Sequence, residues 1–174
     1  MTSLAVTLIG PDRTGIIQDV ANIANEHGAN WMESQLANLA GQFAGIVHLQ
    51  VDEAKVDALT TALKSLAKNG LQINALTASD GSSPKGREIA LELLGQDHPG
   101  IVSEIAATLS GIGVSIAELE TETLSASMSG ELLFKASARL VLPETLSVND
   151  LDDRLQSVSN ELMIDINLDE FDNA

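Results

Sequence analysis

The chain has 174 residues, 44% hydrophobic but only 2% aromatic, so its core must consist mainly of Leu, Ile, Val and Ala. Its 9 basic and 25 acidic residues give a formal net charge of -16, which repels nucleic-acid phosphates, so no direct DNA or RNA binding is expected. The absence of cysteine excludes disulfides, Cys-ligated metals and thiol catalysis. No apolar run reaches the roughly 18 residues that cross a bilayer, which favours a cytoplasmic protein without membrane binding.

The first half of the chain opens with a strand pattern and a helix pattern. The apolar residues of 4–8 alternate at a period of two, as in a half-buried strand. Those of 16–24 recur at helical spacing, so they predict an amphipathic helix. Gly28 stands where that helix should end, because glycine accepts the left-handed conformation at little cost.

A hairpin, a second helix and a short strand complete this half. Residues 30–39 and 43–51 predict two strands with Gly41 in the turn between them. The apolar residues of 56–66 have three-and-four spacing and predict a helix. Residues 71–73 predict the closing strand.

The second half repeats this order. Residues 8–17 return as 93–102, shifted by 85 positions, and the same shift places Gly28 on Gly113. The predicted elements are a strand at 89–93, a helix at 101–109, a hairpin of 114–125 and 132–142 around Gly130, a helix at 148–162 and a strand at 164–166.

The predicted fold is therefore α+β, with two tandem ferredoxin-like βαββαβ modules built on antiparallel sheets. We predict a first domain at residues 1–77, a polar Gly/Ser/Pro linker at 78–86 and a second domain at 87–174. Such small units leave one sheet face and the sheet edges open, so we expect the two modules to pair within the chain and the protein to form a homodimer.

Charge is divided unequally between the halves. Residues 88–174 hold 17 of the 25 acidic residues and 3 of the 9 basic ones. Such a surface is typical of a solvated face that keeps the protein in solution. The alternative is a docking face for a basic partner protein.

The turn between the first strand and the first helix, residues 10–15 and 95–100, is the best candidate for ligand chemistry. It lacks the Lys-Ser/Thr of a nucleotide-binding P-loop. We expect the helix to begin near Thr14 or Pro99, where first-turn N–H groups without intrahelical partners suit a carboxylate. Asp12 and Asp97 either cap that helix, which the spacing alone favours, or accept hydrogen bonds from a ligand ammonium. The second interpretation predicts an amino-acid pocket.

No catalytic or metal site is predicted. His27, His48 and His98 have no second ligand at a metal-binding spacing, and no GxSxG elbow or other nucleophilic set can be assembled. We therefore expect no enzyme activity, no metal and no cofactor. Trp31, at the start of a strand, is expected to pack and not to stack on a ligand.

These motifs resemble those of a known family. Gly10-x-Asp12-x-x-Gly15-Ile16 opening a βαββαβ unit, with Gly28-Ala29-Asn30 after the helix, resembles the ACT domain of amino-acid-responsive regulators. The second copy matches with Gly95-x-Asp97-x-Pro99-Gly100-Ile101 and Gly113-Val114-Ser115. Two such modules over nearly the whole chain are similar to the glycine cleavage system transcriptional repressor family.

The resemblance implies a regulator that restrains a DNA-binding transcriptional activator by protein contact, in response to a small amino acid such as glycine or serine. Carried over by position, the ligand-binding residues are Gly10, Asp12, Thr14, Gly15, Ile16 and Asn30, and in the second copy Gly95, Asp97, His98, Gly100, Ile101 and Ser115. The copies differ at Arg13/His98, Thr14/Pro99 and Asn30/Ser115, so one of them is open to a purely structural interpretation.

Two alternatives stay open. The first repeat also resembles the regulatory module of formyltetrahydrofolate deformylase, although here a second ACT-like module stands where the catalytic domain of that enzyme should follow. A constitutive assembly module without any ligand is the other.

Overall fold

The computed structural model describes residues 1–79 and 83–171 and divides into two compact units, Met1–Gly81 and Ser82–Ala174. Of the predicted linker at 78–86, residues 80–82 lie outside the described residues. None of the helices in the described ranges is long and apolar enough to cross a membrane.

The first module has the order βαββαβ. Its elements are β1 (Thr2–Pro11), α1 (Ile16–Glu26), β2 (Asn30–Leu39), β3 (Gln42–Val51), α2 (Val56–Lys64) and β4 (Gln72–Thr77). The short 3₁₀ turns Glu53–Lys55 and Ser65–Asn69 flank α2. The four strands form one antiparallel sheet in the order β2-β3-β1-β4.

The second module repeats the arrangement. Its elements are β5 (Arg87–Gln96), α3 (Ile101–Gly111), β6 (Ser115–Ser125), β7 (Leu132–Leu142), α4 (Val148–Leu162) and β8 (Ile164–Glu170). The sheet order is β6-β7-β5-β8, again antiparallel throughout. The prediction of two tandem ferredoxin-like modules of the α+β class is confirmed.

Each module has a core between its two helices and one face of its sheet, which we call the inner face. Alternate residues of the central strands point there, as Leu4, Val6 and Leu8 do on β1. Helix residues such as Val20 and Leu59, both fully buried, close the core from above. Burying each such side chain contributes about 1.5–3 kcal/mol, so these aliphatic stripes hold the helices on the sheet.

The opposite face of each sheet, the outer face, is not covered by any helix of its own module. Here the intervening residues of each strand stand exposed, for example Thr7 and Ile9 on β1 and Glu92 and Leu94 on β5. The strands β2 and β6 lie at one edge of their sheets and pair with a neighbour on one side only, β3 and β7 respectively.

Candidate functional site

The loops between β1 and α1 and between β5 and α3 have the same backbone geometry. Gly15 and Gly100 are the N-cap residues of their helices, with φ of 91° and 98° in the left-handed region that other residues adopt only with strain. Neither helix has a side-chain cap in the part of the chain that the structure describes. The helices begin at Ile16 and Ile101, close to the expected start near Thr14 or Pro99. The expected capping by Asp12 and Asp97 is wrong, because Gly15 and Gly100 hold the N-cap positions.

The uncapped helix ends leave donors that face the loops. The first helical hydrogen bonds run from the Asp19 N–H to the Gly15 carbonyl, 2.9 Å, and from the Glu104 N–H to the Gly100 carbonyl, 3.0 Å. The N–H groups that precede these bonds have no intrahelical acceptor. Together with the positive end of the helix dipole, they can bind a carboxylate.

Some predicted site residues serve packing. A Cβ on Gly10 would lie 2.6 Å from the Gly70 carbonyl oxygen, and one on Gly95 would lie 2.5 Å from Ile164 Cγ2. Gly10 therefore lets the turn before β4 approach closely, and Gly95 lets β8 do the same. The side chains of Ile16 and Ile101, each 2% exposed, belong to the two cores.

The first loop is tied to the end of the β2–β3 hairpin. The Asp12 N–H donates to the Gly41 carbonyl at 2.9 Å, and the Asp12 carboxylate accepts a hydrogen bond from the Asn38 side-chain amide. Asn38 lies near the end of β2, 26 positions away, and no local pattern in the sequence pointed to it. One oxygen of Asp12 is therefore already satisfied within the protein.

In the second loop the corresponding carboxylate has no partner among the described residues. The Asp97 N–H donates to the Leu132 carbonyl at 2.8 Å, which matches the backbone contact of Asp12. Thr123 takes the place of Asn38, because each pairs with a phenylalanine near the start of the next strand. Within residues 1–79 and 83–171 the exposed Asp97 side chain has no hydrogen bond or ion pair.

The basic residues of the two loops have different contacts. Arg13 Nη2 lies 2.6 Å from Asp19 Oδ2, an ion pair with both side chains about one-third exposed, and Arg13 Nη1 donates to the Thr14 carbonyl at 3.2 Å. Each pair of this kind contributes little to stability, about 0–1 kcal/mol. Its effect at the loop is to place a guanidinium beside the helix N-terminus while neutralising Asp19.

His98 connects the second loop to the end of α4. Its Nδ1 lies 3.1 Å from the Pro99 carbonyl oxygen and its Nε2 lies 3.1 Å from the Leu162 carbonyl oxygen. A neutral imidazole has one N–H and can donate to only one of these carbonyls, whereas the protonated ring donates to both. His98 is thus a tether between two elements, with no ring nitrogen turned away from the protein backbone.

Asn30 and Ser115 lie far from the loops of their own modules. Asn30 pairs with Gln50, which pairs with Ser3, at the end of the sheet opposite to Asp12. Asn38 stands eight positions along β2 from Asn30, a distance of roughly 26 Å at the usual rise per strand residue. Ser115 has the same position, opposite Val141. The structure brings the loop residues together in each module but does not bring Asn30 or Ser115 to them.

Elsewhere in the described residues there is no buried polar side chain and no group of His, Asp and Glu placed to hold a metal. His48 lies on the outer face with Nδ1 3.3 Å from Glu33 Oε1. These two side chains form a strand-to-strand pair on the first sheet, away from the β1–α1 loop of their own module.

Comparisons with known proteins agree with this architecture. Residues 2–75 and 88–169 match the ACT domain family. A UPF0237 protein of Methanocaldococcus jannaschii is 33% identical over 73 residues, which cover 42% of this chain and 80% of that protein.

Two solved structures match nearly the whole chain. One is the crystal structure of an unknown protein from Galdieria sulphuraria, with 36% identity, a TM-score of 0.88 and 98% of each chain covered. The other is that of a candidate glycine cleavage system transcriptional repressor, with 15% identity, a TM-score of 0.72 and coverage of 99% of this chain and 98% of that one. At 15% identity the second likeness shows a shared fold.

Proposed function

The chain belongs to the ACT domain family, and on this basis we propose that it is a regulatory protein that binds a small amino acid at its β–α loops. Modules of this family typically bind small ligands such as amino acids. We further propose that the regulated process is glycine cleavage, with glycine or serine as ligand and a transcriptional activator as the protein partner. The fold shared with a candidate repressor of that system supports this assignment.

The observation that carries the proposal is an uncapped helix N-terminus beside an aspartate, present twice. Donor N–H groups for a carboxylate stand next to an acceptor for an ammonium, and a free α-amino acid carries both groups. The second loop supplies the stronger ammonium acceptor, because the Asp97 carboxylate is exposed and unpaired within the described ranges. In the first loop Asn38 competes for Asp12.

A homodimer would bring a residue of a second copy close to the first loop. Antiparallel pairing of two β2 edges would bring Asn30 of a second copy to the sheet end where Asp12 lies, since Asn30 and Asn38 stand at opposite ends of the strand. The outward side of β2 carries Glu33 as its single charged residue, so two such edges can meet without strong repulsion. We therefore propose a homodimer paired through β2.

The net negative charge of the chain favours contact with a protein over contact with DNA. A net charge of -16 disfavours phosphate contacts and leaves a protein surface as the means of acting on a DNA-binding activator. In this proposal the protein is a sensor without catalytic activity.

Isothermal titration calorimetry with glycine, serine and alanine tests the proposal. We expect saturable binding of glycine or serine, and we expect Asp97→Asn to weaken it by about tenfold or more, the value of one charged hydrogen bond. Asp12→Asn, the matched control, should weaken it less because Asn38 already holds that side chain. Both residues are exposed, so melting temperatures should stay near the wild-type value.

A constitutive module without ligand is the second candidate, and one observation favours it. Gly10, Gly95, Ile16 and Ile101 are all accounted for by packing. If no amino acid produces heat in the titration and neither aspartate variant changes any measured association, the constitutive interpretation replaces the sensor.

A further inference from the structure

The strand β6 is an open edge of the second sheet. It pairs with β7 along Ser115–Ser125, and no strand of the described chain pairs with its other side. Every second residue of an edge strand directs its N–H and C=O away from the sheet, where they are free to pair with an added strand. β6 is 11 residues long, above the usual strand length, so this edge is a long one.

The outer face of β6 is lined by three glutamates. Glu118, Glu120 and Glu122 alternate along the strand opposite Arg139, Ser137 and Lys135 of β7. Two of them share the cations of β7: Glu118 lies 3.2 Å from Arg139 Nε, and Glu122 lies 3.8 Å from Lys135 Nζ. The hydrogen bonds that Arg139 donates to Glu118 and then to Glu88 raise the pKa of Arg139, which keeps it charged.

Carboxylates outnumber cations across this whole outer face. Arg139 also serves Glu88 at 2.9 Å, so one guanidinium is divided between two acids. The exposed Glu120 has no ion pair or hydrogen bond in the part of the chain described. By strand register the face holds two basic residues, Lys135 and Arg139, and seven acidic ones: Glu88, Glu92, Glu118, Glu120, Glu122, Asp165 and Asp169.

The inner face beside the same edge has an apolar cleft. It lies between α3 and the sheet, has a cavity volume of about 20 Å³, enough for one small group, and is lined by apolar side chains. Its lining residues include Val102 and Ala106 of α3, Phe134 of β7, and Ile116 and Leu119 of β6. Leu119 is 46% exposed and Ile116 37% exposed, so the cleft is open toward the strand edge.

The first module fills the corresponding position with its own side chains. Trp31 takes the place of Ile116, each lying just before the bulge of its strand, and Leu36 takes the place of Thr121. Trp31 and Leu36 both pack against the first core. The Trp31 indole N–H also donates to Ser34 Oγ at 3.1 Å. The cleft in the second module is therefore a consequence of smaller residues at two edge positions.

A second copy of the chain is a poor occupant of the β6 edge. Antiparallel pairing of two β6 strands would place three glutamates of each copy beside those of the other on one face, and like charges opposite one another destabilise a sheet. A strand with basic residues on that face and aliphatic residues on the other matches both sides of the edge. Because successive side chains of a β-strand point to opposite faces, a sequence that alternates basic and aliphatic residues has this pattern.

We propose that β6 binds an extended segment of a partner protein as a fifth strand, with Lys or Arg side chains over Glu118, Glu120 and Glu122 and an aliphatic side chain in the cleft. This assigns the surface that contacts the partner in the proposed function, and it does not require amino-acid binding. The source of the segment is a protein chain with alternating basic and aliphatic residues.

Three labelled peptides test this in fluorescence anisotropy with the full chain. The probe is acetyl-Lys-Val-Lys-Leu-Lys-Val-Lys-amide; the controls are Lys-Lys-Lys-Lys-Val-Leu-Val, of the same composition without alternation, and Glu-Val-Glu-Leu-Glu-Val-Glu. We expect the alternating basic peptide to bind about tenfold more tightly than the block peptide, and to bind less at high salt. Equal affinity of the two basic peptides, or binding of the acidic one, overturns the proposal.

Single variants test the acidic face of β6 and the apolar cleft separately. Glu120→Lys should lower the affinity for the probe peptide by about tenfold, because a lysine repels the lysines of the peptide. Ile116→Trp should lower the affinity by a similar factor of about ten, because the indole fills the cleft as Trp31 does in the first module. Ala37→Lys, on the exposed β2 edge, is the matched control and should leave affinity unchanged. Glu120→Lys changes an exposed side chain, so it decides the matter even if Ile116→Trp fails to fold.

Hydrogen exchange locates the peptide. New protection confined to β6 amides supports the proposal. Protection that the peptide adds on β2, or protection of β6 that rises with protein concentration in the absence of peptide, contradicts it. The titrations are run with and without glycine: peptide binding without any glycine binding rejects the sensor but keeps this surface, and glycine binding without peptide binding does the reverse.

Discussion

The two edge strands, β2 and β6, occupy the same place in their sheets, have a bulge at the same point, and carry different side chains. β2 closes its module with Trp31 and presents a nearly uncharged outer side. β6 leaves a cleft beside Ile116 and presents three glutamates. A duplicated fold thus keeps its backbone pairing while each copy acquires its own surface.

The outer faces extend this contrast across whole sheets. On the first sheet the outer face carries Glu33 as its single acid, paired with His48, and exposes the aliphatic residues Ile9, Leu39, Ile46 and Leu76. On the second sheet acids dominate. An aliphatic face favours burial against another apolar surface, whereas an acidic face favours water or a basic partner.

The largest expected effect comes from a position where the modules differ by one methyl group. Gly45 of β3 corresponds to Ala136 of β7, and a Cβ on Gly45 would lie 2.0 Å from the Gln35 carbonyl oxygen. We expect Gly45→Ala to lower the free energy of unfolding by about 3 kcal/mol, because backbone must move. The reverse change, Ala136→Gly, should cost only about 1 kcal/mol. Urea unfolding monitored by circular dichroism measures both, and equal costs would mean that the two hairpins pack alike.

The next largest loss of stability is expected at the two edge positions that correspond between the modules, Trp31 and Ile116. Trp31→Ala should destabilise by about 2 kcal/mol, less than a fully buried tryptophan, because the indole is only partly buried. Ile116→Ala should cost about 1 kcal/mol, since its cleft is already open. Thermal unfolding of both variants is the measurement. A larger loss for Ile116→Ala would contradict the assignment of the cleft to the second module.

The second helices of the modules differ in how they begin. Ser147 caps α4 by accepting from the Asp150 N–H at 3.1 Å, while Asp150 accepts from the Ser147 N–H at 3.1 Å. No side chain caps α2 or the 3₁₀ turn before it, which starts after Asp52. Ser147→Ala should therefore cost about 1 kcal/mol, and Asp52→Ala a few tenths, in chemical unfolding. Similar losses at both positions would remove this difference between the helices.

The smallest effect is a pH dependence of the same cap. Hydrogen bonds from Ser147 hold the pKa of Asp150 below its usual value. A depressed pKa means that the stabilisation is present above the pKa of the unfolded chain and is lost as the pH falls through the lower pKa of the folded state. Melting temperatures of the wild type and Asp150→Asn should therefore converge in acid, which thermal scans between about pH 2 and pH 6 can measure. A constant gap between the two curves would contradict this account.

Much of the fold was open to prediction because its signals are local. The alternation of Leu4, Val6 and Leu8 and the helical spacing after Ile16 each lie within a few residues, and the shift of 85 positions repeated them. The loops were located for the same reason. The capping role given to the loop aspartates was wrong, since a left-handed glycine serves as N-cap in both modules.

The sequence by itself determined that a βαββαβ unit occurs twice, where its strands and helices lie, and that the second copy carries most of the acid. Only the tertiary structure decided that the acids of β5, β6 and β8 share one outer face, that Asn38 holds Asp12, and that His98 meets the Leu162 carbonyl. The physical reason is distance along the chain. Periodicity is set by neighbouring residues, whereas strand register and loop contacts join residues tens of positions apart and depend on how the whole module packs.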